Sequence, residues 1–156
     1  MVQEILCSCP RLRVFRGDKV NASVIAAGRP WECTSMEKLT VQFIFGTEKG
    51  VIQSEGVTSI ETLDLNMDEL QSLVFKQLSL LTRLEELDVS LLLYQSDNWI
   101  VRGLDFRVSK GLGTLEHLKE MTILNLSYTK QEMAVEDVLW MVEHWPKLTE
   151  VSGDLH

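Results

Sequence analysis

The sequence predicts an α/β fold, a short solenoid of strand–helix units whose parallel strands form one sheet with helices behind it. Two observations carry that prediction. An apolar frame of the form LxxLxL starts at positions 12, 36, 60 and 84, a constant step of 24 residues. The stretches between frames carry apolar residues at helical spacing. A half-apolar strand and a one-sided helix cannot each bury their apolar surface alone, whereas stacked units share one continuous core.

The frames are Leu12-Arg13-Val14-Phe15-Arg16-Gly17, Met36-Glu37-Lys38-Leu39-Thr40-Val41, Ile60-Glu61-Thr62-Leu63-Asp64-Leu65 and Leu84-Glu85-Glu86-Leu87-Asp88-Val89. Downstream the step changes, to Val101–Phe106 after 17 residues, Met121–Leu126 after 20 and Leu148–Gly153 after 27. Parallel strands are expected near 12–17, 36–44, 84–90, 104–108, 121–126 and 148–152, with Leu39, Leu63, Leu87, Leu124 and Val151 facing the core. Alternation along a strand then sends frame positions 3, 5 and 7 to the opposite, concave face.

Helices are expected between the frames. From Asp68 to Leu78, the residues Leu70, Leu73, Val74 and Leu78 share one side, and Asn66 can cap the start. A second helix is expected from about Leu112 to Lys119 on Leu112, Leu115 and Leu118. A third, from about Met133 to Trp145, presents Val135, Val138, Leu139 and Val142 and is stopped by Pro146. A shorter helical piece lies near Ala22–Ala27, ended by Gly28 and Pro30.

Strand, turn and helix recurring at this length are the unit of a leucine-rich-repeat horseshoe, a parallel concave sheet with convex helices. The expectation is a single leucine-rich-repeat domain over 1–156; the competing reading is a compact α/β domain rich in the same frame.

More distinctive phrases join the frames. Cys9-Pro10-Arg11-Leu12-Arg13-Val14 resembles the helix-to-strand junction in the repeats of F-box leucine-rich-repeat proteins, and His144-Trp145-Pro146-Lys147-Leu148-Thr149 repeats it with Trp for Cys. Gly28-Arg29-Pro30-Trp31-Glu32-Cys33-Thr34, Leu81-Thr82-Arg83-Leu84-Glu85-Glu86-Leu87 and the leucines Leu112, Leu115 and Leu118 after Gly111 are similar to segments near the C-terminal end of such proteins in fungi. The resemblance spans nearly the whole chain. It implies the C-terminal part of a longer solenoid that selects the protein to be ubiquitinated. No stretch resembles an F-box, so binding to a ubiquitin-ligase adaptor is expected only if an F-box lies outside this chain. The alternative is a stand-alone repeat scaffold or adaptor. The start, Val2 to Pro10, reads like the tail of a repeat helix, and apolar surface is expected around Ile5, Leu6 and Leu12.

Composition narrows the function classes. Of 156 residues, 45% are hydrophobic and 24% charged, which is globular. The net charge of −8 argues against nucleic acid, whose phosphates are held by Lys and Arg. No apolar run is long enough to span a bilayer, and the first residues do not read as a signal peptide, so a cytoplasmic or nuclear location without membrane contact is expected. Cys7, Cys9 and Cys33 form an odd set without a CxxC pair, and His117, His144 and His156 lack zinc-ligand spacing. Buried thiols are expected, with no metal and no cofactor.

Catalytic patterns are likewise missing. Gly111-Leu112-Gly113 lacks the rest of a phosphate loop, and neither GxSxG nor HExxH occurs. Glu85 and Glu86 are strand neighbours that point to opposite sides, and Glu143-His144 sits at a helix end, where His offsets the helix dipole. The chain therefore reads as a non-catalytic binding module. Trp140 and Trp145 are expected in the core, whereas Trp99, after the polar run Tyr94–Asn98, is the candidate loop anchor. The candidate protein-binding residues of the concave face are Asp64, Glu86, Asp88, Asp105 and Arg107, facing a basic segment of a partner, with Arg16 and Lys38 making the first units more basic.

Overall fold

A computed structural model describes residues 1–45, 67–90, 103–129 and 131–153. Its elements are α1 (Val2–Ser8), β1 (Val14–Asn21), α2 (Ala22–Ala27), β2 (Lys38–Ile44), α3 (Met67–Ser79), β3 (Glu86–Asp88), β4 (Ile123–Asn125), α4 (Val135–His144) and β5 (Glu150–Ser152), with short 3-10 turns at Val108–Lys110 and Leu112–Leu115. The five strands form one open sheet, parallel throughout, in the order of the sequence. The fold class is mixed α/β.

The register aligns the sequence frames. The central frame position runs Phe15, Leu39, Leu87, Leu124, Val151 as direct neighbours across all five strands. Leu39, Leu87 and Leu124 are buried, and Val151, on the last strand, is half-buried. Alternation explains β2 in the same way: Leu39, Val41 and Phe43 point inward and Lys38, Thr40 and Gln42 outward.

Each strand is entered through the same joint. The N–H groups of Leu12, Met36, Leu84, Met121 and Leu148 donate to the carbonyls three residues earlier, of Cys9, Cys33, Leu81, Leu118 and Trp145. Immediately afterwards one carbonyl accepts two consecutive N–H groups of the next strand's entry. Arg13 O receives Glu37 and Lys38, Glu37 O receives Glu85 and Glu86, Glu85 O receives Thr122 and Ile123, and Thr122 O receives Thr149 and Glu150. Five segments of different sequence thus satisfy their backbone in one pattern.

Behind the sheet, α3 buries Leu70, Val74, Phe75 and Leu78, the spacing of one helix face. Trp31 stacks on Phe43 with ring centroids 6.5 Å apart, and Phe75 meets Phe106 edge-on at 5.5 Å. Glutamine side chains satisfy the irregular connections. Gln3 Oε1 accepts from Trp31 Nε1 at 2.8 Å, and Gln77 Oε1 accepts from Trp31 N at 2.9 Å.

Several expectations are corrected. The strand expected at 104–108 is not in the sheet, because β3 pairs directly with β4, Leu87 against Leu124. Leu104 and Phe106 are buried as the frame requires, but the backbone here bonds to side chains: Asp105 N to Gln71 Oε1 at 2.8 Å, Phe106 N to Gln131 Oε1 at 3.0 Å and Val108 N to Asp137 Oδ1 at 2.8 Å. The frame at 60, with Leu63, lies outside the described residues, and β2 pairs directly with β3. The helix expected at 112–119 is replaced by 3-10 turns. Leu112, Leu115 and Leu118 are fully buried at a spacing of three, which fits three residues per turn, and Gly111 holds φ +117° against the Phe75 ring. Leu6 is fully buried, while Ile5 and Leu12 are half-buried.

The third helix is present but turned the other way. Asp137 and Met141 are its buried residues, and the aliphatic stripe expected in the core is exposed: Val135 by 71%, Val138 by 36%, Leu139 by 60% and Val142 by 62%. Trp145 is buried as expected and donates to Leu115 O at 3.0 Å, and Trp140 packs half-buried against it.

Candidate interaction surface

The face of the sheet opposite the core is built by the same register that builds the core. One row across it reads Val14, Lys38, Glu86, Ile123, Glu150, and the next reads Arg16, Thr40, Asp88, Asn125, Ser152. Every one of these residues is exposed or half-exposed, whereas Leu39, Leu87 and Leu124 between them are buried. Parallel sheets are normally covered on both faces. Here the residues of one face are exposed or half-exposed, and several carry charge.

Its electrostatics are graded along the strand order. Arg16 and Lys38 stand on the first two strands, Glu86 and Asp88 on β3 and Glu150 on β5, with the uncharged Ile123 and Asn125 of β4 between them. At the boundary Lys38 Nζ meets Glu86 Oε1 at 2.9 Å across β2 and β3. That hydrogen bond, and then the Glu86 charge, hold the Lys38 ammonium above its ordinary value. Glu86 is therefore half of an exposed ion pair. Asp88 Oδ1 accepts from Ser90 N at 2.9 Å, closing a turn at the strand end, and its register partner Asn125 does the same with Ser127 N at 3.0 Å. Asp88 thus carries a structural bond at the strand end, and Glu150 accepts from Ser152 Oγ at 2.8 Å.

The structure brings Glu86 and Asp88 together on this face and places Asp105 and Arg107 elsewhere. Those two lie on the connection that packs beside α3 and the start of α4. There Asp105 binds Arg107 through a forked pair, with Oδ2 to Nη2 at 2.6 Å. Arg107 also approaches Glu132 at 3.8 Å, and its bond to Asp105 raises its already high pKa further. The sequence of 101–106 imitates the repeat frame, and Asp105 Oδ1 accepts from Arg107 N as Asp88 does from Ser90 N. Local turn chemistry is shared; sheet pairing is not. Asp64 and Trp99 lie outside the described residues. The sequence reading missed Glu150, which joins the acidic side because Leu148–Gly153 pairs in frame.

Other chemistry-bearing groups have structural partners. His144 stacks on Trp140 at 4.3 Å and its Nδ1 lies 2.9 Å from Trp140 O. Cys33 is fully buried, and burial pushes its thiol up to about 11, so it stays protonated and unreactive at neutral pH. Cys7, also buried and raised by burial, donates to Arg29 O at 3.2 Å. Among the described residues no three His, Cys, Asp or Glu side chains are grouped to hold a metal ion, and no helix is long and apolar enough to cross a membrane. Comparison of the chain with protein-family models, curated proteins and solved structures returned no match.

Proposed function

We propose that the chain is a non-catalytic protein-binding module, a short leucine-rich-repeat solenoid whose exposed sheet face receives a basic segment of another protein. The observation that carries this reading is the exposed to half-exposed face of an all-parallel sheet, with Glu86 and Asp88 on β3 and Glu150 two strands away on β5, in the same row as Glu86. The five equivalent strand joints support the repeat architecture, since one hydrogen-bond pattern recurs despite unequal spacing. Charges presented by a rigid sheet mainly steer association and select the sign of the partner. In this reading Lys38 and Arg16 limit the acidic zone to the last three strands and set the direction in which a bound segment runs.

The resemblance to F-box leucine-rich-repeat proteins suggests, within this proposal, selection of a substrate for a cytoplasmic or nuclear ubiquitin ligase. The alternative is a scaffold or adaptor without that role. Either way the recognition step is the same.

The test titrates the full chain with an unstructured Lys/Arg-rich peptide and with its Glu-substituted twin. Glu86→Gln, Asp88→Asn and Glu150→Gln together remove the charges, and Asn at 88 keeps the acceptor for Ser90 N. The basic peptide is expected to bind the native chain, more weakly as salt rises, and to lose about tenfold in affinity on the triple variant. Equal binding to native and neutralised chains, with both folded, overturns the assignment.

A further inference from the structure

Helix α4 carries a second surface, independent of the sheet face. At 100° per residue, Val135, Val138, Leu139 and Val142 fall within one arc of about 100°. All four are exposed. One flank of that arc is Glu136 and Glu143, two turns apart and both exposed; the other flank descends into the core at Met141.

The helix is fixed in this orientation by its opposite side. Asp137 accepts from Ala134 N through Oδ2 and from Val108 N through Oδ1, both at 2.8 Å. At the other end Lys119 Nζ donates to His144 O at 2.9 Å, and Trp145 anchors to Leu115 O. Rotating the stripe inward would break these bonds and bury Glu136 or Glu143. The exposed arc is therefore a property of the folded chain. Four aliphatic side chains at i, i+3, i+4 and i+7 are the pattern by which one helix takes the apolar face of another.

The acidic flank selects the occupant. In a two-fold antiparallel pairing of α4 with a second copy, the same flank meets itself, so Glu136 of one copy opposes Glu143 of the other. Like charges at that distance oppose association. A helix with Lys or Arg along its flank would place opposite charges there while burying the same four side chains. We propose that α4 docks an amphipathic helix of another protein, apolar at i, i+3 or i+4 and i+7, with basic residues spaced two turns apart beside that stripe.

A synthetic helical peptide of about 14 residues, long enough to match three turns, serves as the probe, with Leu on one face and Lys on its flanks. Its twin carries Glu on the flanks. The Lys peptide is expected to bind the full chain, to lose at least about tenfold in affinity on Leu139→Asp, and to bind Glu86→Gln/Asp88→Asn/Glu150→Gln as it binds the native chain. Glu136→Lys/Glu143→Lys is expected to reverse the preference toward the Glu twin. Both α4 variants alter exposed residues, and unchanged thermal unfolding shows that they fold; Val142→Asp replaces Leu139→Asp if that one does not. Three results overturn the proposal: equal binding to native and Leu139→Asp chains, an unreversed preference in the double-lysine variant, or a dimer in sedimentation that Leu139→Asp dissolves while the native chain ignores the peptide.

Discussion

The side-chain amide of Gln131 pairs with Phe106 as a neighbouring strand would. Its Oε1 accepts from Phe106 N at 3.0 Å while its Nε2 donates to Leu104 O at 2.8 Å, and all three groups are buried. A connection that carries the sequence of a strand but lies outside the sheet thereby keeps its backbone satisfied. Gln131→Met retains most of the volume and removes both bonds. Stranding buried polar groups costs about 1–3 kcal/mol each, so the urea midpoint should fall clearly in Gln131→Met. An unchanged midpoint would show that shape alone holds Leu104 and Phe106 in place.

Position along the sheet sets what a core truncation costs. Leu87 is fully buried between Leu39 and Leu124, whereas Val151 stands half-buried on the last strand. Leu87→Ala should therefore cost about 2–5 kcal/mol, and Val151→Ala, which leaves little cavity, under about 1.5 kcal/mol. Equilibrium urea unfolding of the two variants measures the difference. Equal losses would contradict the graded burial of this row.

The strand positions were legible because LxxLxL alternates at the period of a strand, and the junctions before Leu12, Leu84 and Leu148 announce where each begins. Pairing was not legible: 101–106 and 121–126 carry the same frame, and only the direct contact of Leu87 with Leu124 decides between them. Nothing local distinguishes a backbone bonded to a strand from one bonded to Gln71 and Gln131. The orientation of α4 was misread for a related reason. Val135, Val138, Leu139 and Val142 form the cleaner apolar stripe, yet a paired Asp137 and the Met141–Trp145 cluster take the core side. Apolar periodicity finds a helix face without saying what covers it. On the candidate face, Glu86 and Asp88 were found because they sit in the best-formed frame, whereas Asp105 was misplaced with its false strand.

The Lys38–Glu86 contact is a test of how much that face organises itself. Side chains of 47% and 38% exposure exchange little free energy, so a double-mutant cycle through Lys38→Ala and Glu86→Ala should give only a small coupling, one that shrinks with added salt. In the proposed mode, Lys38→Ala frees Glu86 and should tighten binding of the basic peptide. Weaker binding on that variant would mean that Lys38 itself touches the ligand.

The buried thiol of Cys33 makes stability depend on alkaline pH. In the unfolded chain the thiol titrates near its ordinary value of 9.0; in the folded chain burial raises it to about 11. Between those values the folded state holds a proton that the unfolded state has released. Raising the pH then favours unfolding, so the stabilising contribution is complete below about 9 and declines as the pH climbs through about 11. Lysines and tyrosines also titrate in this range, and Cys33→Ala separates them. That variant should start less stable, because Cys33 is fully buried, but should lose less stability across the interval than the native chain. Urea midpoints of both proteins at about pH 8 and about pH 10.5 provide the comparison. A thiol alkylation series supplies a second reading: below the transition Cys9, half-buried, should react while Cys33 and Cys7 stay protected. Parallel pH profiles for the native and Cys33→Ala chains, or prompt labelling of Cys33 at neutral pH, would show that the thiol is not enclosed as described.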